Sequence, residues 1–283
     1  MKRFLVPLLG NESDKKSLKM AQQLVGQAGR IDAVLFQRDP RDMMPIAGEG
    51  FSAGLAEQII EASKAGAQSQ LEDARRIFDE WASKAKAEVT AMAPLDSLSA
   101  SFDQAIGNFP GTFVDAARSA DAIVLCRGKE AEGPDRATLV EAALMGSGRP
   151  VYLAADKECE SVGKRVMIGW NGSQEAARAV AASTGLTGSA EMVTITTIED
   201  GGVSADASGL IASLRMTGKL VEVASPKMES EGVAATLLKE ARSCQSDLLV
   251  LGAYSHSRIR EMVFGGVTDD ILEGADIPVL LVG

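Results

Sequence analysis

Residues 252–268 read G-A-Y-S-H-S-R-I-R-E-M-V-F-G-G-V-T. The run before them, Asp247-Leu248-Leu249-Val250-Leu251, is almost wholly apolar, the pattern of a strand buried on both faces of a parallel sheet. The run after them has helical spacing. The stretch is therefore a strand-to-helix loop with glycine at both edges, Gly252 at one and Gly265-Gly266 at the other. Glycine has no Cβ, so backbone N–H groups there can approach a ligand closely. The helix N-terminus behind the loop adds unpaired donors and a partial positive charge. Such a loop can cradle a phosphate.

The same strand–helix alternation runs through the whole chain. In the first half, the patterns predict strands at 3–9, 31–36, 97–102, 122–126 and 151–154. Helices are expected at 13–28, 109–120 and 137–145, with a long one over 55–92 that Pro94 ends. The pattern restarts at 165–171, a strand, after which Ser173 caps a helix carrying Ala176, Ala177, Val180 and Ala181 on one face. Further strands are expected at 191–198, 220–223, 248–251 and 277–282. Helices are expected at 203–217 (weakened by Gly209), at 232–244, and from the glycine loop to about 273.

The two halves align by eye. Arg3-Phe4-Leu5-Val6 matches Arg165-Val166-Met167-Ile168, an offset of 162 residues. Asp121-Ala122-Ile123-Val124-Leu125 matches Asp247-Leu248-Leu249-Val250-Leu251, an offset of 126. Pro150-Val151-Tyr152-Leu153 matches Pro278-Val279-Leu280-Leu281. The first half thus holds about 36 extra residues between the first two blocks, and the long helix is where they fall. Each half alternates strand and helix and ends in a strand, which predicts a parallel α/β sheet with helices on both faces and right-handed crossovers. The boundary falls near 156–163, a charged segment without apolar periodicity, giving domains at 1–156 and 164–283.

The glycine loop resembles the nucleotide-binding signature of the universal stress protein (UspA) family: Gly, two residues, Gly, nine residues, Gly, then Ser or Thr. Gly252 and Gly265 hold their places, while Ser255 stands for the second glycine and Gly266 for the Ser or Thr, with Thr268 supplying a hydroxyl two residues on. The resemblance covers nearly all of the second half and, more faintly, the first. It implies a tandem protein of two Rossmann-like (adenine nucleotide alpha hydrolase-like) domains, each a five-stranded parallel sheet. Because such domains commonly pair through their last strands, it also implies an internal pseudo-dimer; further homodimerisation is left open.

Asn171-Gly172-Ser173 ends the second half's first strand, and in an open α/β sheet ligands sit beyond the carboxyl ends of the strands. The turn and the Gly252 loop should face one crevice. The family usually has Asp where Asn171 stands; Asn still donates and accepts hydrogen bonds but carries no charge. The tripeptide can equally be a plain turn that caps a helix. In the loop, Gly265, Gly266, Val267 and Thr268 would offer N–H groups to phosphates, Ser255 a hydroxyl and Arg258 a cation. His256 and Ile198, at the end of the second half's second strand, complete the nucleotide-binding set that the resemblance implies. A Ser–His catalytic pair needs side chains converging from different segments, and Ser255 and Ser257 are merely adjacent to His256. The first half lacks this equipment. Leu9 stands where Asn171 stands and Cys126 where Gly252 stands, and 127–135 has no paired glycines, so no nucleotide is expected there.

Composition narrows the rest. A formal net charge of −10 over 283 residues argues against nucleic-acid or anionic-membrane partners. Three spaced cysteines suggest reduced thiols in a cytoplasmic protein, and a single histidine excludes a multi-histidine metal site. The first apolar run, 4–9, is too short to span a membrane. There is no P-loop and no G-x-G-x-x-G after a strand. The reading that follows is a stress-response protein binding ATP or a related adenine nucleotide in its second domain, with Mg²⁺ held by the phosphates if at all. Binding rather than turnover is expected, since no general base or nucleophile is evident. A slow ATP hydrolase or phosphotransfer enzyme, and a nucleotide-free interaction protein, are the alternatives.

Overall fold

A computed structural model describes residues 3–39, 53–92, 96–126, 136–155, 157, 159–253 and 267–283. The chain divides into two compact units, Met1–Val124 with Gly128–Ser147, and Leu125–Arg127 with Gly148–Gly283.

In the first unit the elements are β1 (Arg3–Leu8), α1 (Ser13–Val25), β2 (Gly29–Gln37), α2 (Ala53–Ala85), β3 (Glu88–Val89), β4 (Leu98–Ile106), α3 (Gly111–Arg118), β5 (Ala122–Cys126) and α4 (Arg136–Glu141), which runs into a π turn at Ala142–Gly146. The strands lie in the order β3-β4-β2-β1-β5, every neighbouring pair parallel. Their apolar runs are buried as such runs in a parallel sheet must be: all nine residues of β2 and all five of β5 are buried.

Helix α2 is the 36-residue surplus made visible. Its buried positions Ala74, Ile77, Phe78, Trp81 and Ala82 follow the helical repeat, and Phe78 packs on Phe102 of β4 with ring centroids 5.6 Å apart. The helix stops at Ala85, short of the limit near 92 expected from its pattern. Lys86 takes a left-handed φ of 54°, and Ala87 N–H reaches back to Ala82 O at 3.0 Å. This is the Schellman stop that glycine usually makes. The chain then turns into β3, a strand that the sequence pattern did not single out. Pro94, the expected stop, lies outside the described residues.

The second unit contains β6 (Val151–Ala154), β7 (Arg165–Gly169), α5 (Gln174–Thr187), β8 (Met192–Thr196), α6 (Ser208–Met216), β9 (Val221–Ala224), α7 (Val233–Ser243), β10 (Leu248–Gly252), α8 (Val267–Gly274) and β11 (Val279–Val282). Strands β9-β8-β7-β10-β11 form the five-stranded parallel sheet. A sixth strand, β6, which closes the first half of the sequence, joins it antiparallel, with Tyr152 opposite Leu280. Last strand thus pairs with last strand inside this unit. Helix α6 is shorter than its pattern: it begins at Ser208, and Gly209 sits in its first turn rather than breaking it.

The repeat is physical as well as textual. Asp121 accepts from Arg3 N–H at 3.1 Å and donates its own N–H to Arg3 O at 2.8 Å. Asp247 does the same with Arg165, at 2.9 Å in each direction. In both units an aspartate thus locks the central strand to its neighbour. Gly10 and Gly172, which follow β1 and β7, share a left-handed φ of 74° and 76°.

Candidate functional site

The order of the second sheet reverses at β7. The chain steps outward through β8 and β9, then returns to lay β10 and β11 on the other side. With right-handed crossovers, α5 and α6 cover one face and α7 and α8 the other. The carboxyl ends of β7 and β10 therefore lie side by side where the strand order reverses, the place at which open α/β sheets bind their ligands.

Two glycines let these ends meet. A Cβ on Gly252 would lie 2.4 Å from Ala176 N and 2.5 Å from the carbonyl carbon of Glu175. The last residue of β10 is thus seated on the backbone of the first turn of α5, and its glycine permits that helix–strand packing. A Cβ on Gly169, the last residue of β7, would lie 2.4 Å from Leu251 Cδ2. Helix α5 starts where Ser173 predicts, the Ser173 hydroxyl accepting from Ala176 N–H at 3.1 Å. Asn171 Oδ1 accepts from Ser173 N–H at 3.1 Å. Asn171 and Gly172 are exposed, and a Cβ on Gly172 would meet nothing within 4 Å among the described residues.

Among the predicted residues, the structure brings Gly252 against the α5 turn that begins with Asn171, Gly172 and Ser173. Ile198 is half-buried just past β8, at the same end of the sheet. Val267 and Thr268 open α8, Val267 exposed and Thr268 half-buried. Ser255, His256, Arg258, Gly265 and Gly266 lie outside the described residues.

Two neighbours were missed by sequence reasoning. Trp170 donates its N–H to Thr196 O at 2.8 Å and its indole Nε1–H to Asp206 O at 2.9 Å, tying the start of the turn to β8 and to the approach of α6. Its place beside Asn171 was the available signal. Thr196, the last residue of β8, is 1% exposed, and its hydroxyl has no hydrogen-bond partner among the described residues. Only its position opposite Gly169 reveals it, and that is a matter of register. An orphaned hydroxyl at this end of the sheet, a left-handed glycine turn uncovered among the described residues and a helix N-terminus fit a polar, anionic ligand.

The matching end of the first unit is filled by the chain itself. Asp14, 1% exposed, accepts from the N–H groups of Leu9 at 2.9 Å, Gly10 at 2.8 Å and Asn11 at 3.3 Å. Burial pushes its carboxyl up to about 6 despite those three bonds. Gln70 of α2 donates to Leu9 O at 2.9 Å, and a Cβ on Gly10 would lie 2.7 Å from Gln70 O. Gln37, at the end of β2, donates to Ala67 O and to Gln70 Oε1. The inserted helix thus sits on the carboxyl ends of β1 and β2. Position 176, the counterpart of Asp14, is alanine.

Among the described residues, no group of three His, Cys, Asp or Glu side chains is placed to hold a metal, and no helix is long and apolar enough to cross a membrane.

Residues 163–283 match the model of the universal stress protein family, so the second unit carries a universal stress protein domain. A universal stress protein of Synechocystis is 36% identical over 74 residues, which is 25% of this chain and 26% of that protein, so the match spans about a quarter of the relative's length. Among solved structures, a universal stress protein from Archaeoglobus fulgidus superposes with a TM-score of 0.65 at 15% identity, covering 99% of this chain and 97% of that one. A putative universal stress protein from Pseudomonas aeruginosa gives a TM-score of 0.56 at 13% identity, covering 99% and 93%. At those identities the likeness is one of fold, and it extends over both halves.

Proposed function

We propose that this chain is a tandem universal stress protein whose second half, 164–283, binds ATP or a related adenine nucleotide at the carboxyl ends of β7 and β10. The first half, 1–156, is a degenerate repeat that binds none. The observation that carries this reading is the contrast between equivalent turns. Gly10 is covered by Gln70 and its N–H group is taken by Asp14, whereas Gly172 has no neighbour over it among the described residues and alanine replaces the aspartate. In this reading Asn171 and Gly172 meet the base and ribose, and Thr196 lends its hydroxyl. The 252–268 loop holds the phosphates, through Ser255, Arg258, Gly265, Gly266, Val267 and Thr268, with His256 beside them and Mg²⁺ accompanying the phosphates. Ile198 borders the base. Occupancy acts as a signal, and the site turns nothing over.

The test is calorimetric titration of ATP into full-length protein freed of nucleotide. Saturable binding at one site per chain, lost in Gly265→Val, is expected. No heat and no thermal shift at millimolar ATP, about the weak end of useful affinity, would defeat the proposal. Release of ADP in a single-turnover assay would instead favour the hydrolase alternative.

A further inference from the structure

Beyond its short pairing with β3, the outer edge of β4 has no strand beside it among the described residues. Gly29 N–H bonds to Ser97 O and Gly107 N–H to Gln37 O, both at 3.0 Å, so the odd-numbered residues of this strand turn their backbone toward β2. Thr90 N–H bonds to Ala100 O at 3.0 Å, so the even-numbered ones turn outward. On that outer side β3 pairs with Ser99 and Ala100 only. Phe102, Gln104 and Ile106 therefore present N–H and C=O groups to an edge with no strand partner among the described residues.

Their side chains share the α2 face, since strand residues alternate. Arg75 lies 5.2 Å over the Phe102 ring, and Gln104 donates to Gln37. A cavity of about 750 Å³ opens between α2 and this edge, floored by Phe102, Gln104 and Leu71. Ile106, at the end of the row, is 58% exposed.

We propose that this edge is the interface between two copies of the chain, paired antiparallel about a two-fold axis at Gln104. The register argues for a second copy. With the axis there, Gln104 faces its own counterpart as a hydrogen-bonded pair, and Phe102 of each copy faces Ile106 of the other. The exposed Ile106 then enters the mouth of the cavity beside the facing Phe102, and all three outward residues gain ladder bonds. Charge argues the same way. The formal net charge is −10, so two copies repel over most of their surface. Around this cavity Arg75 and Arg76 stand against Glu72, Asp79 and Glu80, close to neutral.

Sedimentation equilibrium on the full chain tests the proposal. The wild type should sediment at twice 29.6 kDa, with slowed amide exchange at Phe102, Gln104 and Ile106. Gln104→Pro removes an outward N–H, which an edge strand tolerates, together with the side-chain bond to Gln37; with unchanged circular dichroism it should sediment as a monomer. Ile106→Lys changes an exposed residue and should also give a monomer, so the proposal stays testable if the proline variant fails to fold. A monomeric wild type overturns it and leaves the edge to an extended segment of another protein. A dimer that survives Ile106→Lys also overturns it, placing the contact elsewhere.

Discussion

A methyl group on Gly252 would meet the backbone of α5 at 2.4 Å, whereas one on Gly172 would meet nothing within 4 Å among the described residues. Gly252→Ala should therefore cost about 1–3 kcal/mol through overpacking against a backbone that cannot yield. Gly172→Ala should cost roughly 1 kcal/mol, from its left-handed φ alone. Urea unfolding of the two variants checks the difference, and equal losses would contradict the packing argument. Asp14 makes a second prediction. Its folded-state carboxyl titrates at about 6 against an ordinary 3.8, so the folded protein holds this proton more tightly than the unfolded chain. The stabilisation is complete below pH 3.8 and is lost as pH rises through about 6, an effect on the order of 3 kcal/mol. Asp14→Asn should flatten the pH dependence of unfolding between those limits. An unchanged slope would mean that another group titrates there. Asp14 was not legible as special in the sequence, because an aspartate in a helix's first turn normally faces water.

The elements were largely legible, since each rests on local pattern. The apolar runs of β1, β5, β7 and β10 and the cap at Ser173 stand within a residue or two of their expected places. What escaped was set by tertiary contact. Helix α2 ends at a left-handed lysine, and a sequence reader waits for glycine or proline to end a helix. Helix α7 ends the same way: Gln245 takes φ 52°, and Ser246 N–H returns to Ala241 O at 2.9 Å. Lys86→Gly and Gln245→Gly should each raise stability by about 0.5–1 kcal/mol by relieving that backbone strain. Thermal unfolding would show an upward shift for both, and a fall in either would mean that its side chain contributes more than its backbone costs. Strand β3, two residues long, is held by pairing with β4 and has no pattern of its own.

Across the whole chain, the repeat was the most informative feature of the sequence, because Arg3, Asp121, Arg165 and Asp247 keep their pairings in the folded protein. The surplus residues of the first half were legible as a long helix, but not their destination. That Gln70 lands on Gly10 follows from packing over some 60 residues of separation, which no local pattern reports. The two halves therefore share a frame and differ at the turn after the central strand, one closed by its own carboxylate and helix, the other uncovered among the described residues. Amide hydrogen exchange on the full chain, with and without saturating ATP, tests this asymmetry most directly. The account predicts slowed exchange at 170–176 and 252–253 and none at 9–14. Protection at 9–14, or at neither turn, would contradict it.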